Sequence, residues 1–370
     1  MKVLITGQGG FIGGHLKNYL KYINTDFSVL ECNSKIINNK VKLDQLVSKS
    51  DIIVHLAGVN RTKTKKELYE INYNISKLID DSLIRVKFQG KLIFASSTQE
   101  KIDNNYGKAK KHSRKLFIKS SKKLGYKFCG LIIPNVYGPF CKSNYNSFIS
   151  TFSHNLIKGV KNFINEEAKV ELIYIDNLIE LIVNEFKSNS NVEKIINYDI
   201  KATVQDTYKK LLNFHQLYVL KGEIPQLDSD FEINLFNTFR SFLYSDNYFP
   251  VSYNFSEDER GTFSELVRSN CKGQFSFSTT NKKFIRGNHF HTKKIERFSV
   301  IKGKAKILLR NIGSNDILEY VLDGNEPSYV DIPVWFTHSI ENIGSETLIT
   351  TFWTNEFYDM NDTDTFFQKV

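Results

Sequence analysis

The stretch K-V-L-I-T-G-Q-G-G-F-I-G, from Lys2 to Gly13, decides the fold of the N-terminal half of the chain. Its first five residues form a largely apolar run that predicts a buried strand, and residues 15–20 predict a helix. The glycines between them permit a tight turn, in which backbone N–H groups and the helix N-terminus can approach a diphosphate closely. A glycine-rich turn on its own often only connects two elements. Its place between a strand and a helix predicts a dinucleotide site at Gly7, Gly10, Phe11, Ile12 and Gly13.

The next two predicted strands bear on which dinucleotide binds. Residues 27–31 end with Glu31, and a carboxylate at this point usually accepts hydrogen bonds from the adenosine ribose and favours NAD. Asn33 follows, together with a serine and a lysine that could hold a 2′-phosphate, so these residues leave NAD and NADP both open. The strand at residues 51–58, D-I-I-V-H-L-A-G, ends with small residues. We expect the cofactor to lie against Leu56 and Ala57 there.

A second stretch, residues 92–110, carries candidate catalytic groups: L-I-F-A-S-S-T-Q-E-K-I-D-N-N-Y-G-K-A-K. It predicts a short strand, paired serines and a helix that bears Tyr106 and Lys110. Residues four apart share a helix face, so the ammonium group should lower the pKa of the phenol, which is about 10 when unperturbed. Tyr106 then becomes a proton donor to a carbonyl oxygen, which Ser97 can also hydrogen-bond. Together these groups would serve a carbonyl reduction.

The spacing Y-x-x-x-K is weak evidence by itself, because the chain contains 18 tyrosines and many lysines. Tyr73 and Lys77 have the same spacing. Only Tyr106 follows an apolar strand that ends in paired serines, and this context favours Tyr106 over Tyr73 as the catalytic residue.

The composition narrows the class of protein. A chain of 370 residues predicts two domains, and its net charge of +10 is spread over scattered lysines. We interpret this charge as attraction to anionic substrates and not as a nucleic-acid surface. The four cysteines have no paired spacing, which is typical of a reducing cytoplasm. The chain has no apolar run of about 18 residues, so we expect a cytoplasmic protein with no membrane partner.

Six motifs in roughly residues 1–240 resemble those of the extended short-chain dehydrogenase/reductase family of nucleotide-sugar enzymes. They are T-G-Q-G-G-F-I-G, H-L-A-G, S-S, Y-G-K-A-K, P-N-V-Y-G-P and Y-I-D-N. The resemblance implies that Ser97, Tyr106 and Lys110 are catalytic, with the last two also on the cofactor, and that the substrate carries a nucleoside diphosphate. Asn135 either contacts that substrate or stabilises its turn. The alternation of strands and helices predicts an α/β fold with a Rossmann-like, doubly wound parallel sheet.

Beyond residue 250 the pattern changes to short apolar runs separated by turn residues, which predicts an all-β sandwich or barrel. The segment R-G-N-H-F-H-T-K-K-I-E, residues 286–296, places His289 and His291 on one face of a strand. Glu296 and His338 can join them. Three imidazoles and a carboxylate suit a first-row metal such as Zn²⁺.

These C-terminal segments resemble the cupin motifs, H-x-H, four residues and then E, followed by P, H and N at positions 333, 338 and 342. The cupin resemblance implies a jelly-roll domain. D-E-R-G-T-F-S-E, residues 258–265, and R-G-N-H resemble the nucleotide-sugar 3,5-epimerase branch, in which His289 is either a base or a metal ligand. Arg260 and Arg286 are candidate diphosphate clamps or structural ion pairs.

As a whole, the chain resembles the bifunctional capsular polysaccharide enzymes on the route to UDP-N-acetyl-L-fucosamine. That resemblance implies a reductase domain at residues 1–245, a cupin domain at 246–370, NADPH, a divalent metal and a homodimer or higher homo-oligomer. The cupin would invert C3 of UDP-2-acetamido-2,6-dideoxy-L-arabino-hexos-4-ulose, and the reductase would reduce C4 to give UDP-N-acetyl-6-deoxy-L-talosamine. Two alternatives stay open: a single-activity 4-ketoreductase with a structural cupin, and a non-enzymatic sugar-nucleotide or redox sensor.

Overall fold

The N-terminal unit is built on a parallel sheet, in a computed structural model that describes residues 1–164, 168–188, 192–245 and 247–370. Its strands are Lys2–Thr6 (β1), Ser28–Cys32 (β2), Ile52–His55 (β3), Lys91–Ser97 (β4), Lys127–Ile133 (β5), Asn135–Tyr137 (β6), Lys169–Tyr174 (β7), Val192–Ile195 (β8) and Ile200–Thr203 (β9). The order β2-β1-β3-β4-β5-β8 is parallel throughout, and β6-β7-β9 form a smaller sheet. This topology confirms the predicted Rossmann-like sheet.

Helices connect these strands and continue into the second half of the chain. They are Phe11–Tyr22 (α1), Ser34–Ile37 (α2), Lys40–Lys49 (α3), Lys65–Arg85 (α4), Asn105–Leu124 (α5), Phe148–Ile157 (α6), Ile175–Lys187 (α7), Val204–Phe214 (α8) and Asp230–Arg240 (α9). Local chemistry fixes the ends of α5. The Asn104 side chain accepts a hydrogen bond from Gly107 N, and Gly125 ends the helix at φ 84°. Among the described residues, no helix combines the length and apolarity needed to cross a membrane.

The central strands β1, β3, β4 and β5 are buried over almost their whole length, as expected of parallel strands with both faces covered. Leu4, Ile53 and Leu92 are fully buried in the same core cluster as Phe94 and Phe117. This core holds the carboxyl ends of β1, β3 and β4 in fixed positions. In open α/β sheets, ligands bind at that edge.

The chain divides into two compact units, Met1–Thr151 with Glu167–Val204, and Phe152–Glu166 with Gln205–Val370. The strands of the second unit are Val251–Ser252 (β10), Ser256–Asp258 (β11), Gly261–Phe263 (β12), Gln274–Thr280 (β13), Ile285–Phe290 (β14), Glu296–Lys302 (β15), Lys304–Asn311 (β16), Ile317–Asp323 (β17), Ser328–Ile332 (β18), Phe336–Asn342 (β19), Leu348–Thr354 (β20) and Phe366–Phe367 (β21). Two antiparallel sheets, β10-β18-β15-β20-β13 and β17-β16-β19-β14-β21, confirm the all-β prediction.

A buried ionic network fastens the helical segment of residues 205–245 to these sheets. Arg297 donates to both carboxylate oxygens of Asp331, at 2.8 and 3.1 Å. The Tyr218 hydroxyl also donates to Asp331, and the Arg240 guanidinium donates to the Ile332 carbonyl at 2.7 Å. Both arginines and Asp331 are almost completely buried, so each charge depends on its partners. The domain boundary expected at residue 245 concerns which segments fold independently, and it remains a prediction.

Replacing Asp331 with alanine should destabilise the C-terminal unit by about 3–5 kcal/mol, because Arg297 would be left buried without its partner. Both tryptophans, Trp335 and Trp353, lie in this unit, so their fluorescence during urea denaturation reports on it alone. Glu341→Gln is the matched control, since Glu341 forms a half-exposed ion pair with Lys306 at 3.0 Å. Its urea midpoint should match that of the wild type. Equal shifts for both variants would contradict the network's role.

Candidate active sites

The glycine-rich turn between β1 and α1 packs so closely on neighbouring backbone that two of its positions require glycine. Gly7 has φ 78°, and a Cβ on it would lie 2.7 Å from the Ala57 nitrogen. A Cβ on Gly13 would lie 2.2 Å from the Gly7 carbonyl oxygen. The N-cap residue of α1 is Gly10, which has no side chain to accept a hydrogen bond from the first amides of the helix. A helix N-terminus of this kind can bind an anion, and the dinucleotide site at this turn remains a prediction.

The residues expected to choose between NAD and NADP lie at the edge of the sheet. The Glu31 carboxylate is exposed and lies 3.4 Å from the Lys17 ammonium. The Asn33 side-chain oxygen accepts a hydrogen bond from Ile36 N at 3.1 Å and so caps α2. Ala57 N donates to Thr6 Oγ1 at 3.3 Å, which ties the end of β3 to the glycine turn. The cofactor contacts of Asn33, Leu56 and Ala57 remain predictions, and both dinucleotides stay open.

Ser97, Tyr106 and Lys110 are brought together at the carboxyl end of β4. Lys110 is buried, and its ammonium donates to the Ala95 carbonyl at 2.9 Å and lies 5.7 Å from the centre of the Tyr106 ring. Ser97 ends β4, where its hydroxyl accepts from Gln99 N at 3.2 Å. The following turn packs tightly on α5, because a Cβ on Gly107 would lie 2.0 Å from the Gln99 carbonyl oxygen. The serine and the start of α5 are therefore held against each other.

The expected lowering of the Tyr106 pKa was wrong in direction. Burial, with a smaller contribution from the Tyr145 phenol, raises the pKa of Tyr106 to about 12. Burial also lowers the pKa of Lys110 to about 8. Removing water disfavours the charged form of both groups, and this outweighs their mutual attraction. Tyr106 therefore holds its proton at neutral pH, as a proton donor must.

Two polar residues next to this set were not singled out as site residues from the sequence. Tyr145 accepts a hydrogen bond from Asn60 N at 3.1 Å, and no motif surrounds it. Asn72 is buried on α4, where its amide donates to Val59 O at 2.9 Å and accepts from Val59 N at 3.0 Å. A Cβ on Gly58 would lie 2.6 Å from the Asn72 oxygen and 3.7 Å from the Lys110 ammonium. Asn72 thus fixes the loop that passes beside Lys110.

The three candidate substrate residues make local contacts. Asn135 is exposed, and its amide lies 3.5 Å from the Glu171 carbonyl oxygen. Arg260 is 89% exposed in the β11–β12 hairpin and pairs with Asp258 at 2.5 Å. Arg286 donates to Thr280 Oγ1 at 3.0 Å and to the carbonyl of residue 279 at 2.9 Å. Their contacts with a substrate remain predictions.

The second candidate site lies inside the C-terminal sheets, where four predicted ligands converge. Nitrogen atoms of His289, His291 and His338 all lie within 4.8 Å of one another. Strand pairing explains part of this, because His289 on β14 is directly opposite His338 on β19. Glu296 begins β15, and its Oε2 lies 3.2 Å from His291 Nε2 and 3.6 Å from His338 Nε2. The site brings together all four residues that the sequence predicted.

The chemistry of this cluster fits a divalent metal. Two ligands held about 2.0–2.1 Å from a tetrahedral ion lie about 3.3 Å apart, and the two separations from Glu296 bracket that value. His291 Nε2, Glu296 Oε2 and both ring nitrogens of His338 are buried and form no hydrogen bond within the described residues. Buried polar atoms normally have partners, and these atoms approach one another at distances that suit a shared cation.

The charges of the cluster also suit a cation. Burial alone would raise the pKa of Glu296, but His291, His338 and His289 together lower it to about 2. Burial lowers the pKa of His338 to about 3 and lowers that of His289. These two imidazoles are therefore neutral at physiological pH and carry lone pairs. His291 donates from Nδ1 to the backbone carbonyl of Asp364, which leaves Nε2 as its acceptor atom.

Comparisons with known proteins account for both halves of the chain. Residues 3–198 match the NAD dependent epimerase/dehydratase family, and residues 256–366 match the Polysaccharide biosynthesis C-terminal domain. The chain is 31% identical to the UDP-2-acetamido-2,6-beta-L-arabino-hexul-4-ose reductase of Pseudomonas aeruginosa, over 99% of this chain and 98% of that protein.

Solved structures are similar as well. The capsular polysaccharide assembling protein CapF from Staphylococcus aureus is 30% identical with a TM-score of 0.63, and the match covers 100% of both chains. The UDP-glucose 4-epimerase of Thermotoga maritima shares the fold at 18% identity and a TM-score of 0.56, over 66% of this chain and 99% of that one.

Proposed function

The chain belongs to the NAD dependent epimerase/dehydratase family, and on that premise we propose that it is an NADPH-dependent UDP-4-keto-sugar reductase with a second, C3-epimerase site. The observation that carries the proposal is the gathering of Ser97, Tyr106 and Lys110 at the carboxyl end of β4. A proton donor, a second hydrogen-bond donor and a cation together serve the reduction of a ketone. A sensor that only bound the dinucleotide would not need the proton donor, which argues against that alternative.

In the reductase site, NADPH held at the glycine turn would supply the hydride to C4. Tyr106 gives its phenolic proton to the C4 oxygen, so that the ketone becomes an alcohol and the tyrosine becomes a phenolate. Ser97 donates a hydrogen bond to the same oxygen. The Lys110 cation, 5.7 Å from the tyrosine ring, stabilises the phenolate until it is reprotonated. The choice of NADPH over NADH rests on the resemblance to known enzymes.

We expect kcat/KM for NADPH to fall as the pH rises through about 8. Below its pKa of about 8 Lys110 carries a positive charge, and above it the charge is lost. Tyr106, with a pKa of about 12, keeps its proton on both sides of this change. A pH profile of initial rates measures the effect, because kcat/KM reports the free enzyme's groups. Lys110→Arg, which keeps its charge, should have a lower but flatter profile. A wild-type profile that stays flat well above pH 8 would contradict this role.

In the C-terminal unit, we propose that His289, His291, Glu296 and His338 hold a divalent ion such as Zn²⁺. The ion would supply positive charge next to the sugar's C4 oxygen. The C4 ketone acidifies the C3 hydrogen, so a base can remove that proton to give an enolate, and a proton derived from solvent and delivered to the opposite face then inverts C3. His289 is only half-buried and is either a ligand or this base. The support for a metal is the convergence of these buried ligand atoms, which form no hydrogen bond within the described residues except in contacts with one another.

The proposed substrate is UDP-2-acetamido-2,6-dideoxy-L-arabino-hexos-4-ulose, converted to UDP-N-acetyl-6-deoxy-L-talosamine for capsule or O-antigen synthesis. The names of two full-length relatives support it, one a reductase of such a hexulose and the other a capsular polysaccharide assembling protein. Asn135, Arg260 and Arg286 are proposed to bind this substrate. Arg260 and Arg286 are exposed residues, and an arginine that exchanged its present partners for the diphosphate could contact it in a bidentate manner.

The alternative is a single-activity reductase whose cupin-like unit only holds a homodimer together. One observation favours a dimer in either case: β13 is an edge strand, and its outward Phe275 and Phe277 are 54% and 71% exposed. Unpaired edges with exposed apolar side chains favour pairing with a second copy.

Product analysis with and without metal separates the two functions. The purified protein would receive the UDP-4-keto sugar and NADPH, before and after chelation, and NMR would give the configuration at C3 and C4. We expect the untreated protein to give a product inverted at C3 and reduced at C4, and the chelated protein to lose the C3 inversion. An identical product after complete metal removal would favour the single-activity reductase. No reduction in either case would overturn the proposed substrate.

A further inference from the structure

We propose that Asp364, near the end of the chain, is a positioning residue for the histidine site. This inference rests on the proposed metal site. It concerns the loop T-K-K-I, residues 292–295, which joins the ligands His291 and Glu296. Asp364 lies about seventy residues further along the chain and belongs to none of the motifs recognised in the sequence. Its role follows from the contacts of its side chain and of its main chain.

The side chain of Asp364 binds most of the backbone of that loop. Its carboxylate accepts from Thr292 N at 2.9 Å, Thr292 Oγ1 at 2.7 Å, and the nitrogens of Lys293 and Lys294 at 2.8 and 3.0 Å. The next nitrogen, that of Ile295, donates to Asn355 Oδ1 at 2.8 Å. All four backbone N–H groups between the two ligands are thus paired with side chains from distant segments.

Hydrogen bonds to an ionised carboxylate are shorter and stronger than those between neutral groups. Asp364 is 6% exposed, so these bonds compete little with water. A loop held in this way keeps His291 and Glu296 close to the separation that a shared ion requires. Without the carboxylate, three backbone donors and one hydroxyl would lose their acceptor, and the loop could relax away from that geometry.

The main chain of Asp364 acts on the ligand itself. His291 Nδ1 donates to the Asp364 carbonyl, so the ring is held in the tautomer that presents Nε2 to the cluster. Outer hydrogen-bond partners of this kind orient metal-binding imidazoles. One residue therefore fixes both the loop and the ring of His291.

The segment that follows holds Asp364 in place. Phe366 and Phe367, in β21, pair with Phe290 and His289 of β14, the strand that carries the first ligand. Gln368 N donates to the Asn288 carbonyl at 2.9 Å, which continues this pairing. The C-terminal segment, residues 364–370, thus pairs with the strand of His289 and binds the loop of His291.

The test is metal affinity, measured with Co²⁺ and Zn²⁺ on the full-length chain by competition with a chelator of known affinity. We expect Asp364→Ala to weaken binding by about 10–100-fold, the usual effect of removing an outer hydrogen-bond partner. The Co²⁺ absorption spectrum should change as well, because the ligand geometry changes. Asp362→Asn is the matched control: it lies two residues away, is exposed, and pairs with Lys293 at 3.4 Å. Its affinity and spectrum should match the wild type.

A simple loss of folding is separated from a loss of positioning by tryptophan fluorescence of the chelated proteins. If Asp364→Ala is unfolded without metal, Asp364→Asn is measured in its place, since the asparagine variant keeps the size of the side chain and one acceptor oxygen. Asp364→Asn should then show the weaker affinity and the altered spectrum. Wild-type affinity and spectrum in a folded Asp364 variant would overturn the positioning role alone. Failure of the wild-type chain to bind either metal would overturn the proposed metal site, and the positioning role with it.

Discussion

Tyr106→Phe should reduce the rate of NADPH oxidation by the UDP-4-keto sugar by about 10²–10⁴-fold, the usual contribution of a positioned general acid. The substitution removes one oxygen and leaves the ring beside Lys110, which lies 5.7 Å from its centre. The hydride would still reach C4, but no residue would neutralise the oxygen as its charge develops. Binding of NADPH, followed by its fluorescence, should change little. The effect should therefore appear in kcat and not in the affinity for the dinucleotide.

The chain supplies its own control for this experiment. Tyr73 and Lys77 share the spacing of Tyr106 and Lys110, but Tyr73 lies on α4 and stacks on Tyr69, with ring centres 5.8 Å apart. Tyr73→Phe should retain the wild-type rate. If both variants oxidise NADPH equally well, the proton comes from another group, and Tyr145 would be the next residue to replace.

His338→Ala should abolish C3 chemistry and metal binding while reduction at C4 continues. His338 is 2% exposed, and its Nε2 lies 3.6 Å from Glu296 Oε2, so it is the most deeply buried of the three histidines in the cluster. Removing it leaves at most three ligands and opens a cavity next to the remaining ones. We expect bound metal, measured by elemental analysis, to fall below one-tenth of the wild-type content.

His154→Ala is the matched control, since His154 is half-buried beside Phe242 in the same unit and far along the chain from the ligands. It should keep both the metal and the C3 activity. A His338→Ala protein that lost its metal but still exchanged the C3 hydrogen would mean that a different set of residues performs the epimerisation.

Local sequence signals were sufficient for most of the N-terminal unit. The glycine turn, the strand at residues 2–6 before it and the strand that ends in paired serines follow from residues adjacent in the chain, and the structure confirms these elements. The cluster of His289, His291, Glu296 and His338 was also predicted. Strand alternation placed the first two on one face, and the other two were added as residues that could join them.

What the sequence did not predict depends on burial and on distant contacts. The predicted direction of the Tyr106 pKa shift was wrong. The spacing to Lys110 is visible in the sequence, whereas the removal of water from the phenol is not. Asp364 and Tyr145 reach their sites through segments that carry no motif. Such residues are found only when the partners of buried backbone and phenol groups are followed through the fold.

The central claim is that one chain carries two separate chemical sites, and hydrogen exchange at C3 tests it most directly. Purified protein would be incubated with the UDP-4-keto sugar in D₂O without NADPH, and NMR would follow deuterium at C3. NADPH would then be added and its absorbance followed. We predict that the wild type exchanges the C3 hydrogen before NADPH is added, and that Tyr106→Phe keeps this exchange while His338→Ala loses it. NADPH consumption should be kept in His338→Ala and lost in Tyr106→Phe. NADPH consumption with no deuterium at C3 under either condition would contradict the account, because the C-terminal unit would then have no part in the chemistry.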